Sequence, residues 1–140
     1  MKKKFYIELI FLILLGMLTS LSLPPFNYVI INFLTLSLFY IFLIKKFESK
    51  KNKKISFFYG WLFGFGYFVS NLYWISISLT FDENFKFLIP FTIFLIPGFL
   101  ALFYALVAYL FIVLKPKNNL SSFFLFSLIF GIVEFVRGTI

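Results

Sequence analysis

Residues 56–80 read SFFYGWLFGFGYFVSNLYWISISLT, and this stretch carries no charged side chain. Because a helix needs about 20 apolar residues to cross a bilayer, the stretch predicts a transmembrane helix. Four further apolar runs of comparable length lie before and after it. The five predicted spans cover residues 5–23, 26–44, 56–80, 87–114 and 120–140.

The composition of the whole chain is typical of a multi-span membrane protein. Hydrophobic residues make up 62% of it, and its mean hydropathy is +1.02. A soluble domain of this size leaves a large share of its surface in water, so it could not hide this many apolar side chains. We therefore predict an all-α integral membrane fold, a bundle of about five transmembrane helices.

The lysines lie in alternate loops, and this pattern indicates how the bundle is oriented. Eleven of them fall within residues 2–4, 45–54 and 115–117, whereas residues 81–86 hold one lysine and two acidic residues. Cytoplasmic loops carry the excess of basic residues, so we predict a cytoplasmic N-terminus. The same topology accounts for the net charge of +8, which therefore gives no reason to predict nucleic-acid binding.

One face of the third span carries a regular pattern of small, polar and aromatic residues. Six of them fall within a sector of about 80° on a helix: Gly60, Gly64, Tyr67, Asn71, Trp74 and Ser78. Small residues let helices approach closely and polar ones bond across the contact, which predicts a helix-packing seam at Gly60 and Gly64. The alternative is a groove at the outer leaflet, lined by Asn71, Trp74 and Ser78.

The fifth span contains two charged residues, Glu134 and Arg137. Charges within a span are costly and usually mark a working site or an internal ion pair. At a spacing of i, i+3 the two side chains can meet on one face of a helix. Arg137 could alternatively hold a lipid phosphate through its planar guanidinium, so a structural role and a substrate-binding role both stay open.

The residue types present limit the chemistry that this chain can perform. It has no cysteine and no histidine, which excludes disulfides, thiolate nucleophiles and the usual zinc sites from these 140 residues. We predict no catalytic residue, no metal ligand set and no cofactor within the chain. Because the fifth span has no polar flank after it, we expect the chain to be the front part of a longer protein.

Several segments, taken in order, resemble the apolipoprotein N-acyltransferase family. The segments GWLFGFGYF (60–68) and NLYWISISL (71–79) are similar to the third span of that family. The segment LPPF (23–26) resembles the turn after its first span, and EFVRG (134–138) resembles its E-x-x-R-G segment. The similarity extends over essentially the whole chain.

The resemblance implies an acyltransferase of the bacterial inner membrane that acts in lipoprotein maturation. Such an enzyme moves a fatty acyl group from a phospholipid donor to the N-terminal diacylglyceryl-cysteine of an apolipoprotein acceptor. In the family the chemistry belongs to an extracytoplasmic nitrilase-like domain with a glutamate, a lysine and a cysteine. We expect that domain to follow residue 140, so residues 1–140 would form an N-terminal transmembrane domain that is inactive alone.

Two other classes of protein fit the residues without the resemblance. A stand-alone transporter or channel component would use Glu134 and Arg137 as its polar centre. A membrane scaffold would have no chemistry at all. A reading frame that continues into a soluble domain would favour the acyltransferase over both.

Overall fold

The computed structural model describes residues 2–24, 26–47, 52–81 and 83–139. Five residues that entered the predictions above lie outside these ranges, namely Pro25, Lys50, Lys51, Asp82 and Ile140. Within the described residues, five helices are long and apolar enough to cross a membrane, which confirms the predicted all-α membrane bundle. The regular helices are α1 (Lys2–Thr19), α2 (Val29–Lys46), α3 (Lys53–Ser78), α4 (Ile96–Leu114) and α5 (Asn119–Thr139).

Local signals set where the helices begin and how the first two connect. Asn52 caps α3, because its side-chain oxygen accepts the Ile55 amide at 3.3 Å. Between α1 and α2 the chain passes through a 3₁₀ turn at Ser20–Ser22. Asn27 then adopts a left-handed conformation, with φ of 55°, which asparagine tolerates better than most residues.

The path of the fourth span, which the sequence leaves open, is helical but irregular in its first part. A 3₁₀ segment at Glu83–Leu88 leads to a π-helical turn at Phe91–Leu95 and then to α4. The Ile96 amide bonds to the carbonyl of Phe91, one residue further back than in an α-helix. Pro97 has no amide hydrogen and crowds the preceding turn, which accounts for the irregularity just before it.

α3 runs between α1 and α4 and packs along both. At the crossing with α1, a Cβ on Gly16 would lie 2.0 Å from the carbonyl oxygen of Phe63. A Cβ on Gly66 would lie 2.2 Å from the carbonyl oxygen of Ile13. Each helix therefore presents a glycine to the backbone of the other, and no larger residue would permit this approach.

Aromatic rings fill the centre of the bundle. Phe39 of α2 stacks on Phe63 of α3, with ring centroids 4.3 Å apart. Phe126 of α5 meets the edge of Phe39 and that of Phe111 from α4, at 6.1 and 5.3 Å. Aromatic pairs at these separations contribute more than their buried area alone. This cluster joins four of the five helices.

The outward faces of the helices are apolar as well. Large side chains stand well exposed on α2, before α4 and on α5, among them Ile30, Phe33, Phe94, Phe124 and Phe135. Exposed apolar surface on this scale is unfavourable in water and suits a lipid environment. The bundle is therefore apolar inside and outside, as expected for helices in a bilayer.

Candidate functional site

The Glu134–Arg137 pair lies near the end of α5. Arg137 Nη2 donates to Glu134 Oε2 at 2.6 Å, and Arg137 Nε donates to the same oxygen at 3.2 Å. The two side chains are one helical turn apart, and each is a little over a quarter exposed. If the N-terminus is cytoplasmic, as the lysines predict, this pair lies in the outer half of the membrane.

Aromatic residues of α3 and α4 surround the pair. The guanidinium of Arg137 lies 5.4 Å from the ring centroid of Phe68, in a cation–π arrangement. Tyr67 stacks on the buried Tyr104, with centroids 5.5 Å apart, and both tyrosines lie close enough to interact electrostatically with the pair. Sequence reasoning missed Tyr104, although a phenol inside an apolar span was the available signal.

The pair has hydrogen-bonding capacity left over. Among the described residues, no group donates to the buried Glu134 Oε1 in normal hydrogen-bond geometry, although the Tyr104 hydroxyl lies close to the Glu134 carboxylate. The two bonds from Arg137 to Glu134 use two of the five N–H donors of a guanidinium. A buried acceptor and several donors therefore remain beside each other, which is the arrangement that a polar ligand could complete.

Asn71 and Trp74 line an open cavity of about 570 Å³, here called the outer cavity. It lies between the last turns of α3 and the turn after α1, from which Ser20 and Phe26 contribute to its wall. Ser78 lies outside the cavity lining and is exposed. Its hydroxyl donates to the carbonyl of Ile75 at 2.7 Å, so it bonds to its own helix rather than across a contact.

Gly60 and Gly64 face α4. A Cβ on Gly60 would lie 2.5 Å from the carbonyl oxygen of Tyr104 and 2.6 Å from the Cβ of Ala108. A Cβ on Gly64 would lie 2.8 Å from the Cβ of Tyr104. One turn earlier, the buried Ser56 hydroxyl donates to the Ala108 carbonyl at 2.7 Å. The face therefore has a closed contact with α4 at Gly60 and Gly64 and the outer cavity at Asn71 and Trp74, whereas Ser78 lies in neither.

A second concave surface, here called the α2–α5 groove, lies between those two helices. It has a volume of about 280 Å³ and an almost entirely apolar wall. Its lining residues are Phe33, Leu36, Ser37, Tyr40, Phe123, Phe126, Ser127, Phe130 and Gly131. The small residues Ser127 and Gly131, spaced by four on α5, were the sequence signal that could have revealed it.

A third polar cluster joins α1, α2 and α3 at the end of the bundle that holds the lysines. Lys46 Nζ donates to both carboxylate oxygens of Glu8, at 2.8 and 2.6 Å. The Tyr59 hydroxyl donates to Glu8 Oε2 at 2.8 Å, and Lys46 lies 5.7 Å from the Tyr59 ring centroid. Because Glu8 is only 12% exposed, these bonds offset the cost of its burial.

Groups of acidic, histidine or cysteine side chains that could hold a metal are absent from the described residues. The entire sequence also contains no cysteine. What the site offers instead is an ion pair with spare donors, apolar concave surfaces and a helical bundle that exposes apolar faces. Together with the five helices that could cross a membrane, these features define a multi-pass membrane protein.

Comparison with known proteins gives the family. The family model described as "Apolipoprotein N-acyltransferase N-terminal domain" matches residues 15–140, so this chain belongs to that family. Two similar relatives carry the name apolipoprotein N-acyltransferase. The one from Rhizobium rhizogenes is 32% identical over 133 residues, and the one from Rickettsia prowazekii is 33% identical over 129 residues.

The chain corresponds to only part of these relatives. The two alignments cover 90% and 91% of this chain but 25% of each relative. A relative from Rhodopseudomonas palustris is 39% identical over 97 residues, which is 67% of this chain and 18% of the relative. The chain therefore spans about a quarter of the length of the curated relatives that it matches. No solved structure matches it.

Proposed function

We propose that this chain is the membrane part of an apolipoprotein N-acyltransferase in the bacterial inner membrane. The complete protein would transfer a fatty acyl group from a phospholipid to the N-terminal diacylglyceryl-cysteine of a lipoprotein. The observation that carries this proposal is the family match over residues 15–140, in a bundle of five helices that could cross a membrane. The relatives' names supply the reaction class.

In this proposal, the covalent chemistry takes place outside the 140 residues. A cysteine thiolate would attack the phospholipid ester, take the acyl group as a thioester and release a lysophospholipid. The amino group of the diacylglyceryl-cysteine would then attack the thioester and release the thiolate. This chain has no cysteine to perform the first step, so its role is to bind and orient lipids.

Arg137 is the residue that we assign to the lipid phosphate. A guanidinium suits phosphate because its N–H groups form a planar fork, and here three of them are left over after the bonds to Glu134. Glu134 holds the fork in place, and the Phe68 ring supports one face of it. Asn71 and Trp74 in the outer cavity are further candidates for contacts with a lipid headgroup.

The test is acyl transfer to a diacylated lipopeptide, followed by mass spectrometry, with the complete protein in phospholipid vesicles. Arg137→Ala should lower kcat/KM by about 10- to 100-fold, since a hydrogen bond to a charged group contributes about 1.5–3 kcal/mol. Arg137→Lys should recover only part of this loss, because it keeps the charge without the fork. Lys86→Ala is the matched control, since it removes an exposed charge whose partner is the exposed Glu83.

The isolated 140-residue chain should not transfer acyl groups in the same assay. Transfer by the isolated chain would overturn the assignment of the chemistry to another domain. Full activity of a stable Arg137→Ala enzyme would show that the Glu134–Arg137 pair has only a structural role in helix packing. Absence of transfer by the complete protein, together with ion or solute flux through vesicles, would favour a transporter or channel component. Absence of both would favour a scaffold.

A further inference from the structure

The α2–α5 groove has the dimensions of a single hydrocarbon chain. Its α5 wall runs from Phe123 to Gly131, which is about 12 Å along the helix axis. Dividing the volume of about 280 Å³ by that length gives a mean cross-section of about 23 Å². A helix with its side chains is about 10 Å wide, with a cross-section of about 80 Å², so a helix could cover the groove but could not lie within it.

The space in the groove is open along the α5 wall. A Cβ built on Gly131 would meet nothing within 4 Å. At the other end, Tyr40 donates from its hydroxyl to the Asn119 carbonyl at 3.2 Å, and its ring meets Phe123 edge-on at 5.6 Å. These contacts close the groove near the start of α5. The headgroup of a lipid in the groove would therefore lie at the Gly131 end.

The open end of the groove leads to the Glu134–Arg137 pair. Phe123, Ser127, Gly131 and Glu134 fall within a sector of about 80° on α5, so they share one face of the helix. Glu134 lies one turn beyond Gly131, and Arg137 one turn beyond Glu134. The apolar wall ends at Gly131, about 9 Å along the axis before Arg137. A chain that fills the groove below a phosphate at Arg137 therefore spans about 21 Å and reaches past the bilayer midplane, since one hydrocarbon leaflet is about 15 Å thick.

We propose that the α2–α5 groove holds one acyl chain of a phospholipid whose phosphate is bound by Arg137. This rests on the proposed function, because it states where the lipid of that reaction lies. The occupant is a lipid because the groove has the width of one chain and because Arg137 complements an anionic phosphate. An acyl chain gains no hydrophobic free energy when it moves from the surrounding lipid into the groove, because both environments are apolar. Packing against the groove wall and the contact between the phosphate and Arg137 therefore provide the binding energy.

Photo-crosslinking tests the groove directly in the complete protein. The probe is a phospholipid with a diazirine in its acyl chain, at low mole fraction in vesicles of unlabelled phosphatidylglycerol. Labelled residues are then located by peptide mass spectrometry. The expected result is labelling enriched on the residues of α2 and α5 that line the groove, compared with the exposed apolar residues before α4.

Gly131→Leu should reduce this labelling by at least about threefold, because the new side chain occupies the groove and removes several dispersion contacts to the lipid. The matched control is Ile132→Phe, which adds bulk at a neighbouring position that is 55% exposed and does not line the groove. Ser127→Leu fills the same groove one turn away, in case the first variant does not fold. Arg137→Ala should reduce labelling as well.

Labelling spread evenly over the lipid-facing surface would overturn the proposal, and so would equal groove labelling in Gly131→Leu and Ile132→Phe. Protection of the groove by another segment of the protein would overturn it too. Measuring acyl transfer on the same preparations separates the two proposals. Normal transfer without groove labelling refutes only the lipid site, whereas groove labelling without transfer refutes only the proposed function.

Discussion

Replacing Gly60 by alanine should destabilise the bundle, although the same change normally stabilises a helix. A glycine in a helix interior is about 1 kcal/mol less favourable than alanine, so the substitution begins with that gain. The new Cβ would lie 2.5 Å from the carbonyl oxygen of Tyr104 and 2.9 Å from Cα of Ala105, inside the 3.0 Å that real Cβ atoms essentially never cross. Overpacking of a closed contact costs about 1–3 kcal/mol, and backbone atoms cannot rotate away as a side chain can. With a cost at the upper end, the net loss is about 2 kcal/mol.

Gly131→Ala is the matched control, because a Cβ there meets nothing within 4 Å. It should keep the gain of about 1 kcal/mol, so the two variants should differ by about 3 kcal/mol in free energy of unfolding. Unfolding of the purified protein in mixed micelles can be followed by tryptophan fluorescence, since Trp61 and Trp74 both lie on α3. A Gly60→Ala variant as stable as Gly131→Ala would refute the close contact between α3 and α4.

Two further predictions concern the orientation and the cytoplasmic end of the bundle. In intact cells that express this chain, a membrane-impermeant thiol reagent should label Glu83→Cys and leave Lys117→Cys unlabelled, because the lysine-rich loops are predicted to face the cytoplasm. The reverse labelling pattern would show that the predicted topology is inverted. In a double-mutant cycle with Glu8→Ala and Lys46→Ala, the coupling free energy for unfolding should be about 1 kcal/mol, which is the upper end of the range for exposed ion pairs. We expect the upper end because the Glu8 side chain is only 12% exposed and that of Lys46 34% exposed. A coupling indistinguishable from zero would contradict the ion pair across α1 and α2.

The helices themselves could be predicted because a bilayer imposes its demands on each segment separately. Each span must be long and apolar enough to cross, and both properties can be read from consecutive residues. The start of α4 was harder, because a proline is compatible with a kink, a break or a π-helical turn. The structure has a π-helical turn at Phe91–Leu95 before Pro97, in a segment that also packs against α3.

The candidate site was predictable only where both partners lie on the same helix. Glu134 and Arg137 are one turn apart, so their spacing alone indicated that they could meet. By contrast, Glu8 pairs with Lys46 on the next helix and Tyr59 on the third, and Gly16 contacts the backbone of Phe63. Nothing in the local sequence specifies these distant partners.

The sequence by itself determined the class of fold, the predicted orientation and the presence of a charged pair in the last span. These follow from hydropathy, lysine distribution and residue spacing, which are properties of short segments in contact with the bilayer. Only the tertiary structure decided which faces of α3 meet α1 and α4, and where the α2–α5 groove opens. The reason is physical: helix contacts within a membrane depend on the fit of surfaces that are far apart in the chain, and lipid is as apolar as most of those surfaces.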